Sequence, residues 1–572
     1  MDRERIIAVA RGEAVGDLLL AGGRIVNVFT GEVEEGDVVV AEGVIAGIGE
    51  GYRAAETVAL NGAYLLPGFI NGHTHVESSF LGLPQYARAV LPHGTTSVVT
   101  DLHELANVGG LPAIRAFLDE GAALSLDVFL MVPSCVPATH LETAGAALGL
   151  QEVALALDWP ETLGLGELMN FPGAIAGHGD CLDKAAAARD RGKVVDGHAP
   201  GLSGARLNAY LAAGPRSDHE STALEEAREK LRRGMYLMIR EGTSEKNLEE
   251  LLPLVTDRTY PRCLLVVDDR SCRDLLHDGD IDAVVRKAIR LGLDPIRAIQ
   301  MATINPATHF GLRDRGAIAP GYLANLIVTG DLQNLRPRQV YYQGQLVAAD
   351  GQYLCSSELP MTSPLLDTVR IKPLTEDAFV IPASSRLQRV IEVIPHQIIT
   401  RKVILEASTE HGEVIADTER DIIKAAVVER HHASGNVGLG LVRGFGLRRG
   451  ALATSFAHDS HNVVVVGTND RDMHEAVAEI SRMGGGLTVV ADGHPRASLP
   501  LPVAGLMSPD PLEAVAERLQ AVEEAAISLG VSLPSPFAVL SFLALPVIPE
   551  LRLTDMGLVD VGRMTLLPLA AG

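Results

Sequence analysis

The sequence predicts an α/β protein: a (β/α)8 barrel with a small split β-domain and an additional C-terminal α+β domain. Three observations point there. From Pro67 to about Phe310, short apolar runs alternate with helical patterns over the usual length of one such barrel. Glycine-punctuated apolar runs flank that stretch on both sides. Beyond a segment containing Pro and Ser, Thr375 to Gly572 carries strands and helices of its own. The expected division is 1–66 plus 311–359 for the split β-domain, 67–310 for the barrel, 360–374 for a linker and 375–572 for the C-terminal domain.

The β-domain comes first. Asp17–Val28 and Gly36–Gly49 have the apolar runs and Gly turns of a meander. The same pattern returns at Gly316–Gly330 and Val340–Val347, so both pieces are expected in one sheet. Within the barrel, Ser97–Thr100 is followed by a helix over Leu111–Glu120, and Val128–Val132 by one over Leu150–Leu157. Cys263–Val267 is a continuous apolar run, as expected for a strand buried on both faces. Ala223–Arg233 reads as a charged, solvated helix. The Gly-rich stretches Gly435–Gly450 and Gly484–Gly486 lack the Gly-Lys-Ser/Thr spacing of a phosphate loop and are read as turns.

The chemistry gathers at strand ends. His73-Thr74-His75 follows the apolar run Tyr64–Ile70, and residues two apart on a strand share a face, so both imidazoles can address one metal ion. Glu167 ends Leu163–Gly166, His198 follows Val194-Val-Asp-Gly, His219 lies in Ser217–Ser221, and Asp268 and Asp269 end the Cys263 strand. Catalytic groups of a parallel barrel come from the C-terminal ends of several strands. Neutral imidazoles and carboxylates suit zinc, iron or manganese. Asp268 comes directly off the strand and is the preferred ligand of the pair; Asp269 is expected to face the pocket or pair with Arg270. His103 and Glu104 follow the strand Ser97–Thr100 and are read as substrate-binding or proton-relay groups, with Asp269 beside them. His458, Asp459 and His461 fit a lid or an extra metal site.

Composition excludes several classes. A formal charge of −23 argues against nucleic acid, whose binding needs Lys and Arg at phosphates. Five cysteines without a Cys-x-x-Cys pair read as free thiols of a reducing compartment. The N-terminus leads into no apolar signal core, and no uncharged apolar run of about 18 residues occurs, so a cytoplasmic protein away from membranes is expected. The His-x-Glu and Pro-Cys-x-x-Cys signature of zinc nucleobase deaminases is absent.

Pro67-Gly-Phe-Ile-Asn-Gly-His73-Thr-His75 resembles the first-strand signature of the metal-dependent amidohydrolase superfamily. Thr100–Val108, Gly164–Asn170, Asp196–Pro200, Val267–Arg270 and Ala457–Asn462 are similar to its adenine deaminase branch, so that the resemblance spans essentially the whole chain. It implies a binuclear centre: His73 and His75 on a first ion that Asp268 completes, His198 and His219 on a second, and Glu167 bridging both. Many superfamily members carry a carboxylated lysine where Glu167 stands; Lys184 and Lys193 lie in helical or turn context and are poor substitutes. The resemblance favours manganese or iron, with zinc also acceptable. It implies hydrolytic deamination of adenine to hypoxanthine and ammonia in purine salvage, Asp268 and Glu167 moving protons, a purine base as substrate, and a homodimer. The alternatives are another reaction of the superfamily (deamination of a different aminopurine or pyrimidine, or hydrolysis of a cyclic amide), a purine-binding sensor, and a scaffold that has given up catalysis. Loss of ligands would mark the scaffold, and all six expected positions are filled.

Overall fold

The computed structural model describes residues 2–355, 365–394, 397 and 399–571. Of the expected linker, residues 360–364 lie outside the described residues.

Eight parallel strands carry the centre of the molecule: β1 (Phe69–Thr74), β2 (Thr95–Asp101), β3 (Asp127–Val132), β4 (Thr162–Leu168), β5 (Val194–Gly197), β6 (Ser217–Asp218), β7 (Tyr236–Arg240) and β8 (Cys263–Val266). β1 to β5 form one parallel sheet and β6 to β8 another, each in sequence order. The two meet at both edges. Asp268 N donates to His73 O at 3.1 Å and His75 N to Asp268 O at 3.3 Å, while Arg216 N donates to Val195 O at 3.0 Å. A curled parallel sheet closed in this way fits a (β/α)8 barrel. Every residue of β1, β2 and β8 is buried, the pattern expected of strands covered on both faces.

Chain from both sides of these strands shares one nine-stranded sheet. Its seam is Leu326–Thr329 running antiparallel to Tyr64–Pro67. Tyr64–Pro67 leads straight into β1, so the seam anchors the strand that carries His73.

The C-terminal part holds an eight-stranded sheet running from Thr400–Glu406 at one edge to His494–Pro500 at the other. The helix Asp470–Met483 buries Met473, Ala476, Val477 and Ile480 in a core shared with Val463, Val465 and Val490. One expectation is corrected here. The Gly-rich stretch 435–450 is not all turn: Val437–Arg443 is a strand paired with Ile422–Val428. Gly486 likewise opens a strand, Gly486–Ala491. At Gly438 a Cβ would stand 1.9 Å from the Thr554 carbonyl oxygen. Glycine here serves the close approach of two strands, a use that looks like turn composition in sequence.

The C-terminal part is tied to the strand-end face of the barrel. Thr143 N donates to Asp555 Oδ1 at 2.9 Å, Thr554 Oγ1 to Leu141 O at 2.6 Å, and Asn462 Nδ2 to Thr143 O at 2.8 Å. These bonds bring the segment Ala457–Asn462 over the ends of β1 and β2.

Candidate metal centre at the strand ends

The strand ends deliver six side chains to one point. His73 lies next to the last residue of β1 with its side chain 2% exposed, and His75 follows the strand immediately. Their Nε2 atoms lie 3.4 and 3.1 Å from Asp268 Oδ1. His75 Nδ1–H donates to the Asp101 carbonyl at 2.9 Å, which fixes the tautomer and leaves Nε2 with its lone pair inward. Glu167 stands in the middle. Its Oε1 lies 3.1 Å from His75 Nε2, and its Oε2 lies 2.7 Å from His198 Nδ1 and 3.3 Å from His219 Nε2. The two oxygens of one carboxylate thus face two separate histidine pairs.

Local structure explains the placement. Gly166 precedes Glu167 because a Cβ there would sit 1.9 Å from Asp101 Oδ2, the atom that accepts from Glu167 N at 3.0 Å. Asp268 adopts φ 58°, the left-handed region that Asp tolerates better than most residues. Arg240 Nη1 donates to Asp268 Oδ2 at 2.6 Å, so Oδ1 is the oxygen left for the histidines. The same guanidinium grips Glu220. His198 Nδ1 and His219 Nε2 lie 3.9 and 3.6 Å from Glu220 Oε1, which puts that carboxylate beside the second pair.

The electrostatics follow from burial opposed by charge. Burial would raise the Glu167 carboxyl, but the surrounding histidines, His219 foremost, hold it well below its usual range. Burial raises Asp268 too, and Arg240 followed by His73 and His75 pulls it well below. His219 is carried up to about 9 against its burial by Glu167 and Asp268. Carboxylates that stay ionised while buried among imidazoles are what a divalent cation requires.

The donor set fits metal ions. His73 Nε2 and Glu167 Oε1 are buried without a hydrogen-bond partner among the described residues. Clusters close enough to hold an ion include His73, His75 and Asp268, and His73, His219 and Glu167. Buried polar atoms left this way cost free energy unless a ligand engages them.

The remaining expected residues divide. His103 Nδ1 lies 3.6 Å from Glu167 Oε1, and its Nε2 lies 3.3 Å from Glu104 Oε1. Glu104 is also met by His458 Nδ1 at 2.7 Å and by His461 Nε2. Asp459 Oδ1 reaches to 4.0 Å of His103 Nε2. His103, Glu104, His458, Asp459 and His461 are therefore one buried cluster, built by both parts of the chain, next to Glu167. Burial raises the Asp459 carboxyl to about 6. Asp269 accepts a short hydrogen bond from Ser78, while the Arg270 guanidinium donates to the carbonyls of Gly279 and Glu241, so the two do not pair. Lys184 and Lys193 are engaged elsewhere, donating to the carbonyls of Ser134 and Thr162. His431 and His432 stay outside the cluster, bonded to the carbonyls of Ser460 and Ala144.

Sequence reasoning passed over four groups: Asp101, Glu220, Arg240 and Glu77. The first three had a legible signal, each a charge at or beside a strand end. Glu77 had none. It sits in the turn after His75, accepts from Leu105 N at 3.1 Å, and is pushed by burial, with Glu104 adding to it, up to about 7.

Comparison with known proteins agrees with this geometry. Residues 64–347 match the model of the Amidohydrolase family, and residues 397–565 that of the Adenine deaminase C-terminal domain. An adenine deaminase of Dehalococcoides mccartyi is 57% identical over 564 residues, 99% of this chain and 98% of that protein. Adenine deaminase 2 of Carboxydothermus hydrogenoformans is 50% identical over 566 residues, 99% of each chain. The adenine deaminase of Methanothrix thermoacetophila is 48% identical over 569 residues, again 99% of each. With likeness of that degree over nearly its whole length, the chain belongs to the adenine deaminase family of amidohydrolases.

Proposed function

We propose that this protein hydrolyses adenine to hypoxanthine and ammonia at the strand-end cluster. The observation that carries the reading is Glu167, one buried carboxylate whose two oxygens face His73 and His75 on one side and His198 and His219 on the other. His73, His75 and Asp268 with Glu167 Oε1 would hold one ion, and His198 and His219 with Glu167 Oε2 a second. Divalent ions held there, manganese or iron with zinc also acceptable, would lower the pKa of water to about 7 and would supply a nucleophile at neutral pH.

The chain's own residues do the rest. A cavity of about 290 Å3 opens beside the cluster, lined among others by Ser78, Asp269, Phe456, His458 and Phe542. Its volume approaches the usual range for small-ligand pockets, and its aromatic walls with a few polar groups suit a flat heterocycle. His458 stacks on Phe542 with centroids 4.5 Å apart, which fixes the imidazole at the cavity edge. Asp269 and Ser78 offer the purine a polar edge from the barrel, and His103 and Glu104 stand behind His458 as candidate purine contacts or proton relay. Asp268, oriented by Arg240, accepts one proton of the attacking water and delivers it to a ring nitrogen, where it stays as the hypoxanthine N–H; Asp268 then takes the remaining proton from the C6 hydroxyl and passes it to the departing amine. Atoms balance: a C6–O bond forms, the C6–N bond breaks, and ammonia leaves. Ala457–Asn462 closes the mouth and excludes water. The boundaries that serve this reading are 67–310 for the barrel and 375–572 for the part that supplies the cover. Free thiols at all five described cysteines fit a cytoplasmic setting, and among the described residues no helix is long and apolar enough to cross a membrane.

The test is ammonia release from adenine by protein stripped with a chelator and reloaded with manganese, beside Glu167→Gln. Turnover that requires the metal and falls by about three orders of magnitude in the variant supports the assignment. A loaded wild-type protein inert on adenine but active on another aminopurine, a pyrimidine or a cyclic amide would move the substrate and keep the site.

A further inference from the structure

A second cleft lies away from the metal-ligand cluster, behind the loop that follows β7. Its volume is about 330 Å3. Six cations line it: Lys246, Arg270, Arg286, Lys287, Arg290 and Arg336. Three carboxylates line it as well, Glu241, Asp274 and Asp278. Two of them are already engaged, Glu241 by Lys287 and Asp274 by Thr243. Positive charge is therefore in excess at this one place, on a chain whose formal charge is −23.

Ordinary helix stability does not account for the set. Lys287 and Arg290 fall in the last turn of Ile281–Arg290, where cations complement the helix dipole. Lys246, Arg270 and Arg336 arrive from three other segments. Lys246, Arg290 and Arg336 have no ion pair or side-chain hydrogen bond among the described residues. Arg270 is 7% exposed, and carbonyls of Gly279 and Glu241 hold its Nε and Nη1. Three cations without partners among the described residues, from three segments, beside a buried guanidinium are an arrangement suited to recognising phosphate, while Lys287 and Arg286 are already paired with Glu241 and Asp282.

We propose that this cleft is a binding site for a phosphate-bearing small molecule, separate from the purine cavity. Its volume holds a nucleotide as well as an inorganic phosphate, and the two sources share the same recognition chemistry. The position gives the site reach. Glu241 and Lys246 line the cleft, whereas Thr243 and Ser244, between them in the chain, line the cavity beside Asp269 and His458. Thr243 N donates to Asp269 O at 2.9 Å, so one loop has a face on each site.

The experiment is calorimetric titration of the manganese-loaded protein with inorganic phosphate and, separately, with AMP, repeated on the double variant Arg290→Glu, Arg336→Glu. Both substituted residues are exposed and lie outside the purine cavity, so adenine turnover should persist and report intact folding. The proposal expects saturable binding in the millimolar range or tighter, weakened about tenfold or more in the variant. Equal affinity for the two probes assigns recognition to phosphate alone, and tighter AMP binding adds the nucleoside; either outcome upholds the site. Absence of saturable binding by both probes overturns it, as does binding that the variant leaves unchanged, because the anion is then held elsewhere. Failure of adenine turnover in the wild type would count against the deaminase reading and not against this one.

Discussion

Replacing Glu104 by Gln removes the carboxylate that His103, His458 and His461 share. Burial disfavours the charged His458 imidazole, yet Glu104 overrides it and holds the pKa at about 9 against an ordinary 6.5. At 1.36 kcal/mol per unit, that gap is about 3 kcal/mol of preferential stabilisation of the protonated form. The folded pKa is the higher one. The contribution is therefore fully present below pH 6.5 and is lost as pH rises through about 9. In Glu104→Gln the imidazole remains buried without its counter-charge, its pKa falls below the ordinary value, and the loss moves out of that window. The assay is urea denaturation of the manganese-loaded protein at intervals from about pH 6 to about pH 10. The wild type should lose about 3 kcal/mol more than the variant across this range. Parallel curves would refute the idea that Glu104 charges His458.

Other outcomes follow from the same geometry. Arg240→Met leaves Glu220 and Asp268 buried without their shared cation, and should cost about 3–5 kcal/mol in denaturant titration as well as most of the turnover; a variant of wild-type stability would mean the carboxylates have another partner. Gly438→Ala drives a Cβ toward the Thr554 carbonyl, a backbone atom that cannot swing aside, and should destabilise by about 1–3 kcal/mol or more. Gly440→Ala meets Leu553 side-chain atoms at 3.1 Å and should be milder, so a reversed order in melting temperature would overturn that packing account. Removing metal with a chelator should abolish ammonia release and lower the melting temperature, with manganese restoring both, because an ion bound only by the folded state stabilises it by mass action; an unchanged melting temperature would argue against a buried ion.

Much of the site was readable in one dimension because parallel strands place functional groups by a simple rule. Each strand ends where its apolar run ends, and the polar residue there faces the mouth. His73, His75, Glu167, His198, His219 and Asp268 could all be picked out this way, and the structure brings all six together. The preference for Asp268 over Asp269 rests, in sequence, only on which residue comes first off the strand. In the fold, backbone hydrogen bonds between His73, Asp268 and His75 hold Asp268 at the seam, and its left-handed φ turns one oxygen toward the histidines while Asp269 turns to Ser78.

Local pattern alone thus determined the alternation of strands and helices, the split sheet around them and the gathering of imidazoles and carboxylates at strand ends, because these depend on residue type and short spacing. Tertiary structure alone decided the pairings across hundreds of residues: Glu104 with His458 and His461, Arg240 across Glu220 and Asp268, and Gly438 beneath Thr554. The reason is physical. A buried charge is stable only beside a partner of opposite sign, and which partner reaches it depends on how separate sheets pack, a property that no window of sequence contains.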